Sequence, residues 1–218
     1  MNRKGVTLSI VFEAQGANYG EGFGNISVLK KLSRGDGNLY SYISRQALRY
    51  NIIQQLGWDN TPVDGKSGVV QFAPNASIKD YPEIDLFGYM KTTSKSDNKK
   101  ENEGEQGKKE DKGGATTRSA VVRLSNAIAL ESYNSDMDFL NNMGLAKRRN
   151  LENGIAQSEI QRSTYAYTVT IDLDRVGIDG DEEISNKEKA DRVCKFLDIL
   201  MFLYRDIKGK RENLSPIF

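Results

Sequence analysis

Residues 6–14, Val-Thr-Leu-Ser-Ile-Val-Phe-Glu-Ala, are β-branched and apolar enough to predict a buried first strand. The segment Ser44–Leu56 predicts a helix: Ser44 can cap it, Leu48, Ile52 and Leu56 recur every four residues, and Gly57 stops it. Residues 68–73 and 118–130 read as further strands, and Tyr165-Ala-Tyr-Thr-Val-Thr-Ile-Asp-Leu alternates as a half-buried strand should. Ser185-Asn-Lys-Glu188 is a capping box. The helix behind it presents Val193, Leu197, Leu200, Met201 and Tyr204 on one face until Gly209. Leu214-Ser-Pro-Ile-Phe218 reads as the start of one more strand.

Three segments interrupt this pattern. A glycine-dotted stretch runs from Gln15 to about Tyr42, long enough to suggest a working loop. Residues 91–114 are Lys, Glu, Asn, Ser and Gly with almost no large apolar residue, a composition that cannot repay its ordering entropy and predicts a disordered surface insert. Residues 131–163 read as a second irregular stretch. The remaining order, strand, helix, strand, strand, helix and incipient strand, predicts a single α+β domain over 1–218, a ferredoxin-like or RNA-recognition-type βαββαβ palm with long inserted loops.

Composition narrows the chemistry. The 218 residues hold no histidine and one cysteine, Cys194. His-ligated metals, Ser-His-Asp triads, Cys-His pairs and internal disulfides are therefore excluded. No apolar run reaches the roughly 18 residues a spanning helix needs. The basic start Met-Asn-Arg-Lys precedes an apolar stretch that Glu13 ends early, so it reads as a strand and not a signal peptide. The net charge of +1 argues against nucleic acid until charge is read by position. Residues 30–49 carry an excess of four positive charges and residues 176–191 an excess of four negative ones. A chain neutral in sum can be basic where it binds.

Several constellations admit chemistry. Gly20-Glu-Gly-Phe-Gly24 has the wrong spacing for a dinucleotide fingerprint, and no helix starts at its last glycine. Its glycines allow a tight loop or a close backbone approach. Asp172, Asp174 and Glu183 partly match a calcium loop, but Val176 stands at a ligand position and a strand replaces the entering helix. Asp36 in Arg34-Gly-Asp-Gly37 could assist a metal, or simply form a turn. Arg45 and Arg49 lie four apart on one helix face, beside a Ser cap. Two readings stand for them: a phosphate-backbone edge, or a solvated basic face. Lys147-Arg148-Arg149 adds three cations with the same two readings. The aromatic signature for stacking bases on a sheet is absent from the strands.

Longer motifs carry a resemblance. Asn18-Tyr-Gly-Glu-Gly22 with Gly24-Asn25, and Tyr42-Ile-Ser-Arg-Gln-Ala-Leu-Arg-Tyr50, resemble the backbone subunit of the CRISPR Cascade complex, the Cas-seven family, in its type I-B, DevR-like branch. Asp85-Leu-Phe-Gly-Tyr-Met90, Arg118-Ser-Ala-Val-Val-Arg123, Gly144-Leu-Ala-Lys-Arg148 and the stretch from Thr164 to Gly177 are similar to that branch too. The resemblance implies a non-catalytic, cytoplasmic protein in antiviral defence, needing no metal or other cofactor. Its palm would carry a thumb-like insertion at 131–163, and copies would stack head-to-tail along a guide RNA. It would present that guide to a complementary DNA strand with other Cascade subunits as partners, and no membrane. The RNA-binding residues it implies are Asn18, Tyr19, Gly20, Gly22, Gly24, Asn25, Ser44, Arg45, Gln46, Arg49, Lys147, Arg148 and Arg149. The alternative is the metal-dependent RNA endonuclease of the related type III class, for which Asp36 is the candidate carboxylate. Family members usually continue past Leu-Ser-Pro-Ile-Phe218, so the chain reads as a shortened form.

Overall fold

A computed structural model describes residues 4–20, 22, 24–65, 68–92, 114–134 and 136–217. In chain order the elements are β1 (Gly5–Gln15), β2 (Ile26–Ser27), β3 (Lys31–Ser33), β4 (Leu39–Ile43), α1 (Arg45–Leu56), β5 (Val63–Asp64) and β6 (Gln71–Phe72). Then come α2 (Pro82–Phe87), β7 (Tyr89–Thr92), β8 (Ala115–Arg118), β9 (Val122–Leu124), β10 (Ala127–Ala129), β11 (Asp136–Asn141) and α3 (Met143–Lys147). The last are β12 (Ile155–Ile160), β13 (Arg162–Asp172), β14 (Ile178–Asp179), β15 (Glu182–Glu183), α4 (Asn186–Met201), β16 (Tyr204–Ile207) and β17 (Lys210–Asn213). The fold is mixed α+β and rich in sheet. No helix among the described residues is long and apolar enough to cross a membrane.

The chain forms two compact units, one of Met1–Val6, Ile53–Arg123 and Thr170–Phe196, the other of Thr7–Ile52, Leu124–Val169 and Leu197–Phe218. The second unit is built on a sheet in the order β1-β13-β10-β4-β3, with β9 pairing β13 off that path. Alternation puts Ile10, Phe12 and Ala14 of β1 inside, and Tyr165, Tyr167 and Val169 of β13 beside them. The Phe12 ring stacks on Tyr165 at 5.6 Å between centroids and meets Tyr167 edge-on at 5.8 Å. Ser41 and Tyr165 share a buried hydroxyl–hydroxyl hydrogen bond of 2.8 Å. Leu48 and Ile52, two of the predicted helix stripe, are fully buried.

Three expectations change. The strand expected over 118–130 is broken into β8, β9 and β10. The break between β9 and β10 falls at the polar pair Ser125-Asn126, where Ser125 Oγ accepts the Thr168 N–H and the Ser125 N–H donates to the Thr168 carbonyl. The stretch 131–163, read as irregular, holds a six-pair antiparallel hairpin, β11 with β12, from Asp136↔Ile160 to Asn141↔Ile155. Its alternation, Asp-Met-Asp-Phe, was present in the sequence. The C-terminal helix ends at Met201, and Tyr204 opens a hairpin whose two turn residues, Lys208 and Gly209, have φ of 49° and 76°. Two successive positive φ values suit the tight turn that matches strand twist. Leu214 is buried, and the Ile217 N–H donates to the Val11 carbonyl at 2.8 Å, so the segment read as an incipient strand touches β1, though among the described residues 214–217 are not part of a strand.

The first unit is organised by a buried carboxylate. Asp85, at 0% exposure in α2, accepts from Arg118 Nη2 at 2.8 Å, from Arg192 Nη1 at 2.9 Å and from the Gly177 N–H at 2.9 Å. The two guanidiniums also donate to the Arg175, Ile78 and Lys79 carbonyls. Gly177, at φ 66°, cannot carry a side chain there, because a Cβ would stand 2.3 Å from Ile184. The strand expected over 68–73 shrinks to Gln71–Phe72 against β5, leaving Val69 and Val70 exposed. The polar insert read over 91–114 lies, across 93–113, outside the described residues.

Two outcomes follow for this unit. Asp85→Ala removes the buried anion that two guanidiniums share, leaving each only its outer carboxylate, Asp179 or Glu188, and should cost about 3–5 kcal/mol in urea unfolding. The Tyr89 hydroxyl is pushed up to about 12 from its ordinary 10.0, by burial first and by donating to Asp179 second. It stays protonated in the folded chain after the unfolded chain ionises, so its stabilising share is whole below about pH 10 and lost as pH rises to about 12. Tyr89→Phe should flatten that part of the melting-temperature profile relative to the wild type.

Candidate nucleic-acid interface

The α1 N-terminus is the best-defined site among the sequence-predicted residues. Ser44 Oγ accepts the Ala47 N–H at 3.3 Å, the expected cap, and Asn126 Oδ1 accepts the Arg45 N–H at 2.9 Å. Two of the first free helix amides are thus already satisfied from within the protein. Charge for a ligand must come from side chains and not from bare helix amides. Arg45 and Gln46 are exposed in that first turn, and Arg49, one turn on, is half-buried. Arg45 and Gln46, but not Arg49, border a polar depression of about 440 Å³ that Lys30, Tyr42, Ser125 and Asn126 also line.

Ser44 and Asn18 are buried, at 6% and 5% exposure, so their part is to position. Asn18 Nδ2 donates to Ser44 Oγ at 3.2 Å, and the Asn18 carbonyl accepts the Lys30 N–H at 3.0 Å. The glycine loop closes on itself: Tyr19 bridges Leu29, and the Gly20 N–H donates to the Val28 carbonyl at 2.8 Å. A Cβ on Gly22 would stand 2.7 Å from the Ile26 carbonyl oxygen, so that glycine serves the loop's own close approach. Gly24 takes a φ of 60° in open space, as a turn requires. Asn25 joins this loop to the β11–β12 hairpin, donating to the Ile155 carbonyl and accepting from the Gln157 N–H, both at 3.0 Å.

Electrostatics sharpen the basic excess over 30–49. Lys31 pairs with Glu159 at 2.8 Å, which spends its charge inside the protein. Arg34 lies 4.3 Å over the Tyr40 ring. Lys30 and Arg45 are the cations that reach the depression. Tyr19, by contrast, has its hydroxyl pushed up by burial and by the nearby carboxylates Asp138, Glu159 and Glu212. Lys147 ends α3, with Arg148 and Arg149 just beyond it, all exposed at the end of the β11–β12 hairpin and apart from the depression. The same hairpin exposes Met137, Phe139, Leu140 and Leu145.

The competing carboxylates are engaged elsewhere. Asp36 accepts from the Tyr40 hydroxyl and the Asn38 N–H, which hold its carboxyl below the usual range and make it a turn former. Asp172 pairs with Arg123 and Arg175, Asp174 accepts the Lys4 N–H, and Glu183 pairs with Lys189. Among the described residues no group of three or more carboxylate or thiol side chains is arranged to hold a metal. Sequence reasoning missed Lys30, Tyr42, Ser125 and Asn126 as neighbours of Arg45. The polar break Ser125-Asn126 inside an apolar run was the one signal that could have drawn attention to two of them.

The model of the family described as CRISPR-associated negative auto-regulator DevR/Csa2 matches residues 6–218. The fold resembles a chain of a "CRISPR RNA-guided surveillance complex" with a TM-score of 0.54 at 13% identity, over 94% of this chain and 63% of that one. A chain of a "CRISPR RNA-guided surveillance complex, pre-nicking" matches with a TM-score of 0.56 at 11% identity, over 92% of this chain and 72% of that one. The chain therefore spans less than two thirds of the first of these, and at such identities the likeness is one of fold. No curated protein sequence matches it significantly.

Removing the helix cap tests the local geometry. Ser44→Ala strips acceptors from both the Ala47 N–H and the Asn18 amide, and should lower stability by about 1–2 kcal/mol in denaturant unfolding.

Proposed function

The chain belongs to the CRISPR-associated DevR/Csa2 family, and from that premise we propose that it is a non-catalytic, RNA-binding backbone subunit of a type I-B Cascade complex. It holds the spacer part of a CRISPR RNA for pairing with a target DNA strand, in cytoplasmic antiviral defence. Copies associate head-to-tail along the guide, a heterologous contact that extends and does not close. The sheet carrying β1, β13, β10 and β4 takes the part of the RNA-recognition-like palm, and the β11–β12 hairpin that of the thumb.

The observation that carries this reading is the depression at the start of α1. Lys30, Arg45 and Gln46 line it with the amide of Asn126 and the hydroxyls of Tyr42 and Ser125. Such groups bind phosphate and sugar without distinguishing bases. That is what a guide holder needs, since base pairing supplies the sequence information. Lys147, Arg148 and Arg149 then meet the strand from the thumb. The endonuclease alternative has no comparable support, because Asp36 is engaged in its own turn.

The test is fluorescence anisotropy with spacer-length RNAs of unrelated sequence across a salt series. The double variant Arg45→Ala, Arg49→Ala should bind all of them about equally more weakly, with the log–log salt slope reduced by about 1.4, or about 0.7 for each lost phosphate contact. An unchanged slope in that variant overturns the site. Magnesium-dependent cuts in a paired target RNA that vanish in Asp36→Ala overturn the non-catalytic reading.

A further inference from the structure

The sequence pattern extends a helix through β16 to Gly209, where the structure instead has the β16–β17 hairpin. Three of its cations reach the segments that form the candidate interface. Arg205 Nη1 donates to Asn18 Oδ1 at 3.3 Å. Lys208 Nζ donates to Ser158 Oγ of β12 at 2.6 Å and stands 4.2 Å over the Tyr19 ring. Lys210 Nζ donates to the Gln15 carbonyl at 2.6 Å, while Glu212 Oε1 accepts the Gln15 N–H at 2.5 Å.

The Arg205 contact continues inward. Asn18, its acceptor, uses its amide nitrogen on Ser44 Oγ at 3.2 Å, and Ser44 Oγ in turn takes the Ala47 N–H at 3.3 Å. Asn18 and Ser44 are both more than nine-tenths buried, so no water competes freely for these bonds. The guanidinium can only donate, which obliges Asn18 to present its oxygen to Arg205 and its nitrogen to Ser44. An amide turned the other way would face the guanidinium with its own donor.

We infer that the C-terminal hairpin is a positioning clamp for the RNA site: Arg205 sets the Asn18 amide, Asn18 holds the Ser44 cap, and the cap aims Arg45 and Gln46. Lys208 does the same for the other segments, tying the glycine loop at Tyr19 to the β12 strand at Ser158. Arg205 is a positioning residue here and touches no phosphate. The inference rests on the RNA-binding reading of the α1 site and adds the part of the chain that pre-organises it.

The experiment combines RNA anisotropy across salt with hydrogen exchange of the Ala47 amide, on the full chain. Arg205→Met should weaken RNA binding about five- to tenfold with an unchanged salt slope, because the contacting cations remain and only their placement is lost. Arg205→Lys, which keeps a donor, should recover most of the affinity. Ala47 exchange should quicken in Arg205→Met but not in Arg45→Ala. Should Arg205→Met not fold, Asn18→Ala breaks the same relay and should give the same pattern. A salt slope reduced by about 0.7 makes Arg205 a phosphate contact and overturns the positioning role. Wild-type affinity in both Arg205→Met and Asn18→Ala, with Arg45→Ala weakened, overturns the clamp and leaves the RNA site standing. If the wild type binds no RNA, the functional reading fails, and Ala47 exchange still decides the clamp: unchanged protection overturns it.

Discussion

A carboxylate with no access to water holds the first unit together. Asp85 lies between the guanidiniums of Arg118 and Arg192 and takes the Gly177 N–H as well, so three other stretches of chain converge on one side chain. A lone buried anion would be prohibitive, and two buried guanidiniums without it equally so. The surroundings answer that constraint: carbonyls of Ile78, Lys79, Arg175 and Ile178 accept further guanidinium protons, and the outer carboxylates Glu188 and Asp179 pair with Arg192 and Arg118. Gly88 and Gly177, both at positive φ, bring the backbone close enough for the network to close. Asp85 and Arg118, which open two of the motifs that marked the family in the sequence, are thus partners in this buried network and not surface contacts, whereas Arg123 at the end of the second motif pairs with Asp172 at the surface.

The second unit applies a similar economy to its surface. Its hydrogen bonds use up the groups that a simple reading would offer to RNA. Ser44 and Asn126 satisfy helix amides, Asn18 bonds to Ser44, and Lys31 is neutralised by Glu159. What remains for a polyanion is a small set of exposed long side chains mounted on a rigid cap. That division suits a grip that must be firm yet indifferent to sequence. On the proposed RNA-binding reading, affinity comes from a few exposed cations and their placement from buried hydrogen bonds that salt screens little.

Much of the secondary structure was legible. The first strand, the strand over 165–172, the helix from Ser44 with its Gly57 stop and the Ser185 cap on the Glu188 N–H all reflect local preferences that tertiary packing did not oppose. The less legible parts share a physical reason. The β11–β12 hairpin exposes both faces of β11, so its apolar residues carry no burial pattern strong enough to announce it. The turn at Lys208-Gly209 begins where a helical stripe still runs, and only the buried Leu203 and Leu214, joined by a backbone bond, decide that the chain turns there.

The same divide holds for the site. Composition alone excluded histidine and disulfide chemistry, and local charge placed a basic helix edge at Arg45 and Arg49. Those conclusions need only residue identity and a period of 3.6. Which cation keeps its charge for a ligand, which asparagine faces a cap, and which arginine of a distant hairpin orients that asparagine were decided in three dimensions. Hydrogen bonds between residues 26 to 187 positions apart leave no trace in local pattern. Their partners are chosen by burial, which obliges each donor and acceptor to find the one mate the fold brings within reach.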